Sequence, residues 1–271
     1  MKQLMAASLF ALALAVGLSQ FLPPAVVHSQ TMFQSLNSPT GLVGWWRLCG
    51  DTSATSGCVA SSSTAAYDAS GYGNNGSWSG TQTGATGWYS AGKVGPWAGA
   101  FDGSTDYLAV ADATILKPAS FTVSAWIYMT ANTTAAVYYP IGKCGTGVCS
   151  SGWALGVAGT FHTLTGCSGV TNGTLYLAAM GSGNVVCTTA TLPLNTWVFI
   201  AATYSSGTAK LYINGSSQST TGSTGAFSQA AVPFSIGIAN TFYFPGRIDD
   251  VRLYNRALSA GEIAQMALAH D

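Results

Sequence analysis

Charged side chains are what this sequence has least of. Only 7% of its 271 residues are Asp, Glu, Lys or Arg, against about 25% in an ordinary globular chain. Glutamate occurs once, at Glu262, and the three histidines are His28, His162 and His270. These shortages weigh against several chemistries. Glycoside hydrolysis usually needs two carboxyl groups flanking the scissile bond, and no Glu-x-Asp-x-x-Glu alternation is present. Asp249 and Asp250 are adjacent, so a regular strand turns them to opposite faces. Asp102 and Asp106 read as turn residues. His162 has no Gly-x-Ser-x-Gly elbow beside it, which leaves a nucleophilic triad without its parts. Nine basic residues balance nine acidic ones, so there is no net field to attract nucleic acid or an anionic membrane. The same neutrality weakens repulsion between copies and favours self-association.

Apolar residues make up 48% of the chain and aromatics 11%, which argues against disorder. Glu and Lys are scarce while Val, Ile, Thr, Tyr, Phe and Trp are plentiful, a balance that favours strands. The first residues read as an export signal over 1–29: Lys2, an apolar run from Leu4 to Leu18, Pro23-Pro24, and a cut after Ser29. The run is shorter than the about 20 residues of a transmembrane helix. Cleavage, export and no membrane insertion afterwards are the expectation; an uncleaved anchor is the alternative. Six cysteines suit an oxidising compartment: Cys49, Cys58, Cys144, Cys149, Cys167 and Cys187. Their pairing is open; sequence neighbours would give Cys49–Cys58, Cys144–Cys149 and Cys167–Cys187. A zinc site competes on cysteine count but lacks any CxxC pair.

Residues 30–40 form a polar lead-in, and 41–271 read as one domain. Short apolar or alternating runs are separated there by Gly, Ser and Asn, a pattern of sandwiches and barrels. Expected strands are Val43–Leu48, Ala98–Phe101, Tyr107–Val110, Phe121–Met129, Val137–Ile141 and Trp153–Val157. Further along come Thr174–Ala179, Trp197–Tyr204, Ala209–Ile213, Phe234–Ile238 and Gly246–Tyr254. In the fourth, Phe121, Val123, Ala125 and Ile127 share a face. Asn214-Gly215 predicts a tight hairpin, because both central residues of a type I′ turn need positive φ. Ser259-Ala-Gly-Glu262 has the form of a capping box. It opens a short C-terminal helix that presents Ile263, Met266 and Ala267 on one side.

Three segments, in order, carry a family resemblance. The first is Gly41-Leu-Val-Gly-Trp-Trp-Arg-Leu with Ala66-Tyr-Asp-Ala-Ser-Gly-Tyr-Gly-Asn-Asn-Gly76. The second is Ala100-Phe-Asp-Gly-Ser-Thr-Asp-Tyr-Leu-Ala-Val110, leading into Phe121–Trp126. The third is Gly246–Ile263. Together they resemble the laminin-G-like domains of the concanavalin A-like lectin/glucanase superfamily, over about Gly41 to Ala267. The resemblance implies an all-β fold, a jelly-roll β-sandwich of two antiparallel sheets. Two Cys-bearing stretches, Cys49–Ala66 and Lys143–Cys187, depart from it.

Domains of this kind often hold a calcium ion, and the matching positions are Asp68, Asn74 or Asn75, and Asp249. The loop Asp68–Gly76 offers carboxylate, amide and carbonyl oxygens of the type Ca²⁺ takes. An Asx-turn in which the carboxylates accept backbone N–H bonds is the alternative. Aromatic rings near polar loops, namely Trp78, Tyr138, Tyr139 and Tyr243, are the candidates for stacking on sugar, whereas Trp126 and Trp197 read as core. The resemblance and the missing carboxylate pair imply an exported, non-catalytic binding module for glycans or other extracellular surface ligands. A structural subunit of an extracellular assembly is the other reading, and a glycoside hydrolase the third.

Overall fold

The computed structural model describes residues 39–49, 64–81, 88–133, 135, 137–144, 149–160, 164, 166–222, 225–227, 229 and 231–268. In chain order its strands are β1 Leu42–Trp46, β2 Ala65–Ala66, β3 Gly76–Ser79, β4 Tyr89–Ala91, β5 Trp97–Asp102 and β6 Tyr107–Val110. Then come β7 Phe121–Met129, β8 Val137–Lys143, β9 Trp153–Ala158, β10 Thr174–Ala179, β11 Val185–Thr191, β12 Trp197–Ser205 and β13 Thr208–Ile213. The last are β14 Ser216–Ser217, β15 Thr220–Gly222, β16 Phe234–Ile236, β17 Ile238–Ala239, β18 Phe242–Tyr243 and β19 Pro245–Tyr254, followed by the helix Ala260–Leu268.

One sheet runs β14-β13-β12-β7-β19-β5-β4, with β1 also paired to β19. The other runs β15-β11-β10-β9-β8-β16-β6-β3-β2, and β17-β18 is a separate hairpin. The pairings are antiparallel. Alternation along β7 turns Phe121, Val123, Ala125, Ile127 and Met129 into the space between the sheets, as its sequence predicts. Rings from both sheets meet there: Trp46 stacks on Phe234 at 4.8 Å and Phe121 on Trp153 at 4.7 Å. The expected jelly-roll sandwich is therefore what the chain forms.

Local signals act where they are expected. Asn214 and Gly215 both have positive φ, at 49° and 78°, between β13 and β14. Ser259 and Glu262 exchange hydrogen bonds, Ser259 N–H donating to Glu262 Oε2 at 2.8 Å and Glu262 N–H to Ser259 Oγ at 3.3 Å. Ile263, Met266 and Ala267 bury against the sandwich. β3, β4 and β11 are strands that the sequence reading leaves unassigned, because Gly-Ser-Trp-Ser and the Thr-rich end of β11 look like loop.

Two of the expected disulfides are present, Cys144–Cys149 and Cys167–Cys187. They tie loops over the outer side of the nine-stranded sheet, where Cys144, Cys187, Tyr139 and Tyr176 form a cluster of their own. Cys58, and with it the Cys49–Cys58 pairing, lies outside the described residues, as do the export signal and His162.

Candidate functional site

The outer side of the eight-stranded sheet carries an aromatic row that includes Trp126 and Trp197, both read from the sequence as core; Trp126 is indeed buried, whereas Trp197 is half-exposed. Phe121 to Met129 alternate, so while the odd residues from 121 face inward, Trp126 and Tyr128 face out. Register then sets neighbours abreast. Trp197 of β12 pairs with Tyr128 of β7, and Tyr128 with Arg247 of β19. One step along, Phe199 pairs with Trp126 and Trp126 with Asp249. The C-terminal helix closes over the further part of this face, packing with Phe199, Tyr212 and Tyr254. Trp197, Tyr128 and Arg247 remain half-exposed at the uncovered end.

These three side chains are held in contact. Tyr128 and Trp197 meet edge to face at 5.6 Å. The Arg247 guanidinium lies 3.8 Å from the Tyr128 ring centre and 5.4 Å from that of Trp197, a cation–π arrangement. Gly246 permits this approach: its φ is 135°, and a Cβ there would collide with the carbonyl oxygen of Tyr128. Arg247 Nη1 also donates to Ala91 O at 3.0 Å, which joins β19 to the end of β4.

The β4–β5 hairpin is clasped onto the same face. Asp249 Oδ2 accepts from the backbone N–H groups of Lys93 and Val94, both at 2.8 Å. Lys93 Nζ sits 5.0 Å over Trp126. Asp249 is fully buried, and its Oδ1 has no hydrogen-bond partner among the described residues. Burial pushes its carboxyl up to about 8 against an ordinary 3.8; the Val94 bond opposes that rise and the charge of Asp250 adds to it. Between those two values the folded chain holds a proton that the unfolded chain has released. Stability from this group is thus full below pH 3.8, falls as pH rises, and levels off above about 8. In thermal unfolding, the wild-type advantage over Asp249→Asn should shrink or invert between about pH 5 and about pH 9. A difference that is flat across that range would show Asp249 ionised in the fold.

Strict alternation fails at the acidic pair. Asp250 has φ 51°, and the β19–β7 register shifts between Asp249 and Arg252. Ile248 and Val251 both point into the core, so the bulge leaves both carboxyls on the outer side, not on opposite faces. Asp250 is buried and bound to Arg252, with Nη2–Oδ2 and Nε–Oδ1 both at 3.0 Å, and accepts Trp45 Nε1–H at 2.6 Å. Asp102 Oδ1 accepts the N–H groups of Ser104, Thr105 and Asp106, the turn role expected of it.

The residues matched to calcium do not fit the ion. Asp68 is fully buried. Its Oδ1 accepts from Trp45 N–H at 3.0 Å and Ser70 N–H at 2.8 Å, and its Oδ2 from Asn74 N–H at 2.9 Å. Asn75 Oδ1 accepts from Asp68 N–H at 2.9 Å, while the Asn74 amide donates to Val43 O at 3.4 Å. Asp249 faces the hairpin amides instead. The oxygens a hard cation needs are turned to N–H donors, which is the Asx-turn arrangement. Among the described residues no group of three or more His, Cys, Asp or Glu could hold a metal. Adding calcium and then EDTA is expected to leave Tm unchanged; a calcium-dependent rise that Asp68→Ala removes would reinstate the ion.

Of the four rings expected at the surface, three are buried. Trp78 is 6% exposed, because Gly76 and Trp78 are the inward residues of β3. It stacks on Trp88 at 5.2 Å and donates to Tyr89 Oη at 3.1 Å. Tyr138 (2%) points into the core and Tyr139 (6%) into the disulfide-bearing cluster, since both faces of β8 are covered. Tyr243 alone is half-exposed, 6.3 Å from Tyr107. A groove of about 240 Å³ lies between β12, β13 and the start of the helix, lined by Thr203, Ser205, Lys210, Tyr212 and Ser259. Among the described residues no helix is long and apolar enough to cross a membrane.

Two packed antiparallel sheets and an outer aromatic face define the class: a lectin-like β-sandwich. The chain belongs to the concanavalin A-like lectin/glucanases superfamily, whose laminin G family model matches residues 102–264. Among solved structures it is similar to domain 4 of AbnA, an extracellular GH43 arabinanase from Geobacillus stearothermophilus, in complex with arabinotriose. The TM-score is 0.59 at 20% identity, covering 84% of this chain and 98% of that one. A botulinum neurotoxin type C structure, whose cell entry depends on two ganglioside molecules, aligns with TM-score 0.58 at 15% identity over 88% of this chain and 53% of the toxin chain. Trypanosoma rangeli sialidase aligns with TM-score 0.58 at 15% identity over 90% of this chain and 37% of the sialidase. A comparison of the sequence with curated proteins gives no match.

Proposed function

We propose that this chain is an exported, non-catalytic module that binds extracellular glycans on the outer face of its eight-stranded sheet. The observation that carries the reading is the half-exposed row Trp197, Tyr128 and Arg247, set abreast on three central strands. Aromatic faces match the apolar C–H faces of sugar rings, and a cation beside them offers donors to hydroxyl or carboxyl oxygens. Strands hold such a platform more rigidly than loops do. The arabinotriose and ganglioside named with two structural neighbours support a sugar ligand. The leader-like N-terminus and the two disulfides support export. A hydrolytic role finds no support at the acidic pair, whose carboxyls are both buried. The test is binding of the oxidised domain to a broad glycan array. Saturable binding to a defined set is expected; a blank array from folded protein would remove the reading.

A second reading, a subunit of an extracellular assembly, is favoured by zero net charge on a chain with so few charges. It requires concentration-dependent polymers in light scattering, and single monomers at high concentration would exclude it.

A further inference from the structure

We infer that the glycan this face binds carries a carboxylate, as a uronic or other acidic sugar does. The inference rests on the glycan reading and deepens it. It starts from a charge imbalance on the platform. Arg247 and Lys93 are two of only nine basic residues in the chain, and both lie over outward rings of β7. Arg247 is over Tyr128 and Lys93 over Trp126. Those rings are two residues apart on one strand, roughly 7 Å along it.

Among the described residues neither cation has an anionic partner. The ion pairs among the described residues join Asp112 to Lys117 and Lys143, Asp250 to Arg252, and Glu262 to Arg256. Arg247 spends one N–H on Ala91 O, and its other donors meet no partner among the described residues. Asp249, the carboxyl beside both, is buried and directs Oδ2 at two backbone N–H groups rather than at either cation. Two cations without counter-charge among the described residues, one of them beside the half-exposed Tyr128 and Trp197, complement an anion that also has an apolar surface. A guanidinium fork matches the two coplanar oxygens of a carboxylate. Stacking on Tyr128 holds that fork in place before a ligand arrives, so little side-chain freedom is lost on binding.

The test compares oligogalacturonate and sialyllactose, each with its methyl ester, together with dextran and dextran sulfate. Titrations use the oxidised chain in low salt and again in moderate salt. The acid forms should bind roughly ten-fold or more tightly than their esters, with an affinity that falls as salt rises. Arg247→Gln should weaken the acid forms far more than their esters, so that most of the acid–ester difference is lost, and Arg247→Lys should restore only part of it. Unaltered Tm in both variants keeps a folding defect from imitating the result. Equal binding of acid and ester, or binding of dextran sulfate alone, would overturn the inference while leaving the glycan reading in place. Absence of binding to every sugar would remove both.

Discussion

Asp250→Ala is expected to destabilise the domain by about 3–5 kcal/mol, because it strands the Arg252 guanidinium in the fold without its counter-ion. Both side chains are almost fully enclosed, and the pair is bidentate. Asp250 also accepts the Trp45 indole N–H, and it occupies left-handed backbone at φ 51°. Alanine fits that conformation less well than aspartate or asparagine. Loss of the pair should lower Tm by roughly 10 °C. Asp250→Asn keeps the acceptor for Trp45 and the tolerance for positive φ, so its cost should be clearly smaller. Asp250→Asn combined with Arg252→Met, which removes both charges, should recover part of the loss. Urea unfolding of the three variants measures this directly. Costs within about 1 kcal/mol for Asp250→Ala would show that the pair is hydrated and not the internal tie described above. The pair bears on function because the same bulge sets Asp249 under the β4–β5 hairpin and so places Lys93 over Trp126.

Trp197→Ala and Tyr128→Ala are each expected to weaken glycan binding by about 2 kcal/mol, roughly 30-fold in affinity. Both rings are half-exposed, so their removal should cost little stability, no more than about 1–2 kcal/mol. Isothermal titration with a sugar identified on the array, alongside thermal unfolding, separates the two effects. Tyr243→Ala serves as the control, since Tyr243 sits on the separate β17–β18 hairpin and its neighbour Tyr107 on the nine-stranded sheet. Full affinity in both platform variants, with loss in Tyr243→Ala, would move the site to the β17–β18 hairpin.

The sandwich was legible in the sequence because its signals are local. Phe121–Met129 alternates over its whole length and forms β7 within those bounds. Asn214-Gly215 specifies its turn, and Ser259 with Glu262 specifies the helix start. The site was not legible, for three physical reasons. Alternation shows that Trp126 and Tyr128 share a face, but not that a helix covers only part of it. The row itself exists only through register between β12, β7 and β19, strands separated by more than a hundred residues of chain from first to last. A one-residue bulge at Asp250 reversed the expected facing of the acidic pair. Trp78 misled for the opposite reason: its small and polar neighbours pack in a covered strand, whereas in sequence Gly-Ser-Trp-Ser reads as loop. Tyr138 and Tyr139 lie in the expected strand Val137–Ile141, and the sequence does not show that both of its faces are covered. One retrospective cue exists: β7, β12 and β19 each bring a large aromatic or cationic residue to the same end, at Tyr128, Trp197 and Arg247.

The central claim, that the outer row is the binding face, is tested most directly by nuclear magnetic resonance. The oxidised, isotope-labelled domain would be titrated with the tightest glycan from the array. The Trp197 indole N–H and the backbone amides of Lys93, Val94, Tyr128 and Arg247 should shift together and saturate with one affinity. Saturable shifts confined to Tyr107, Phe242 and Tyr243, or to the groove beside Lys210 and Ser259, would contradict it.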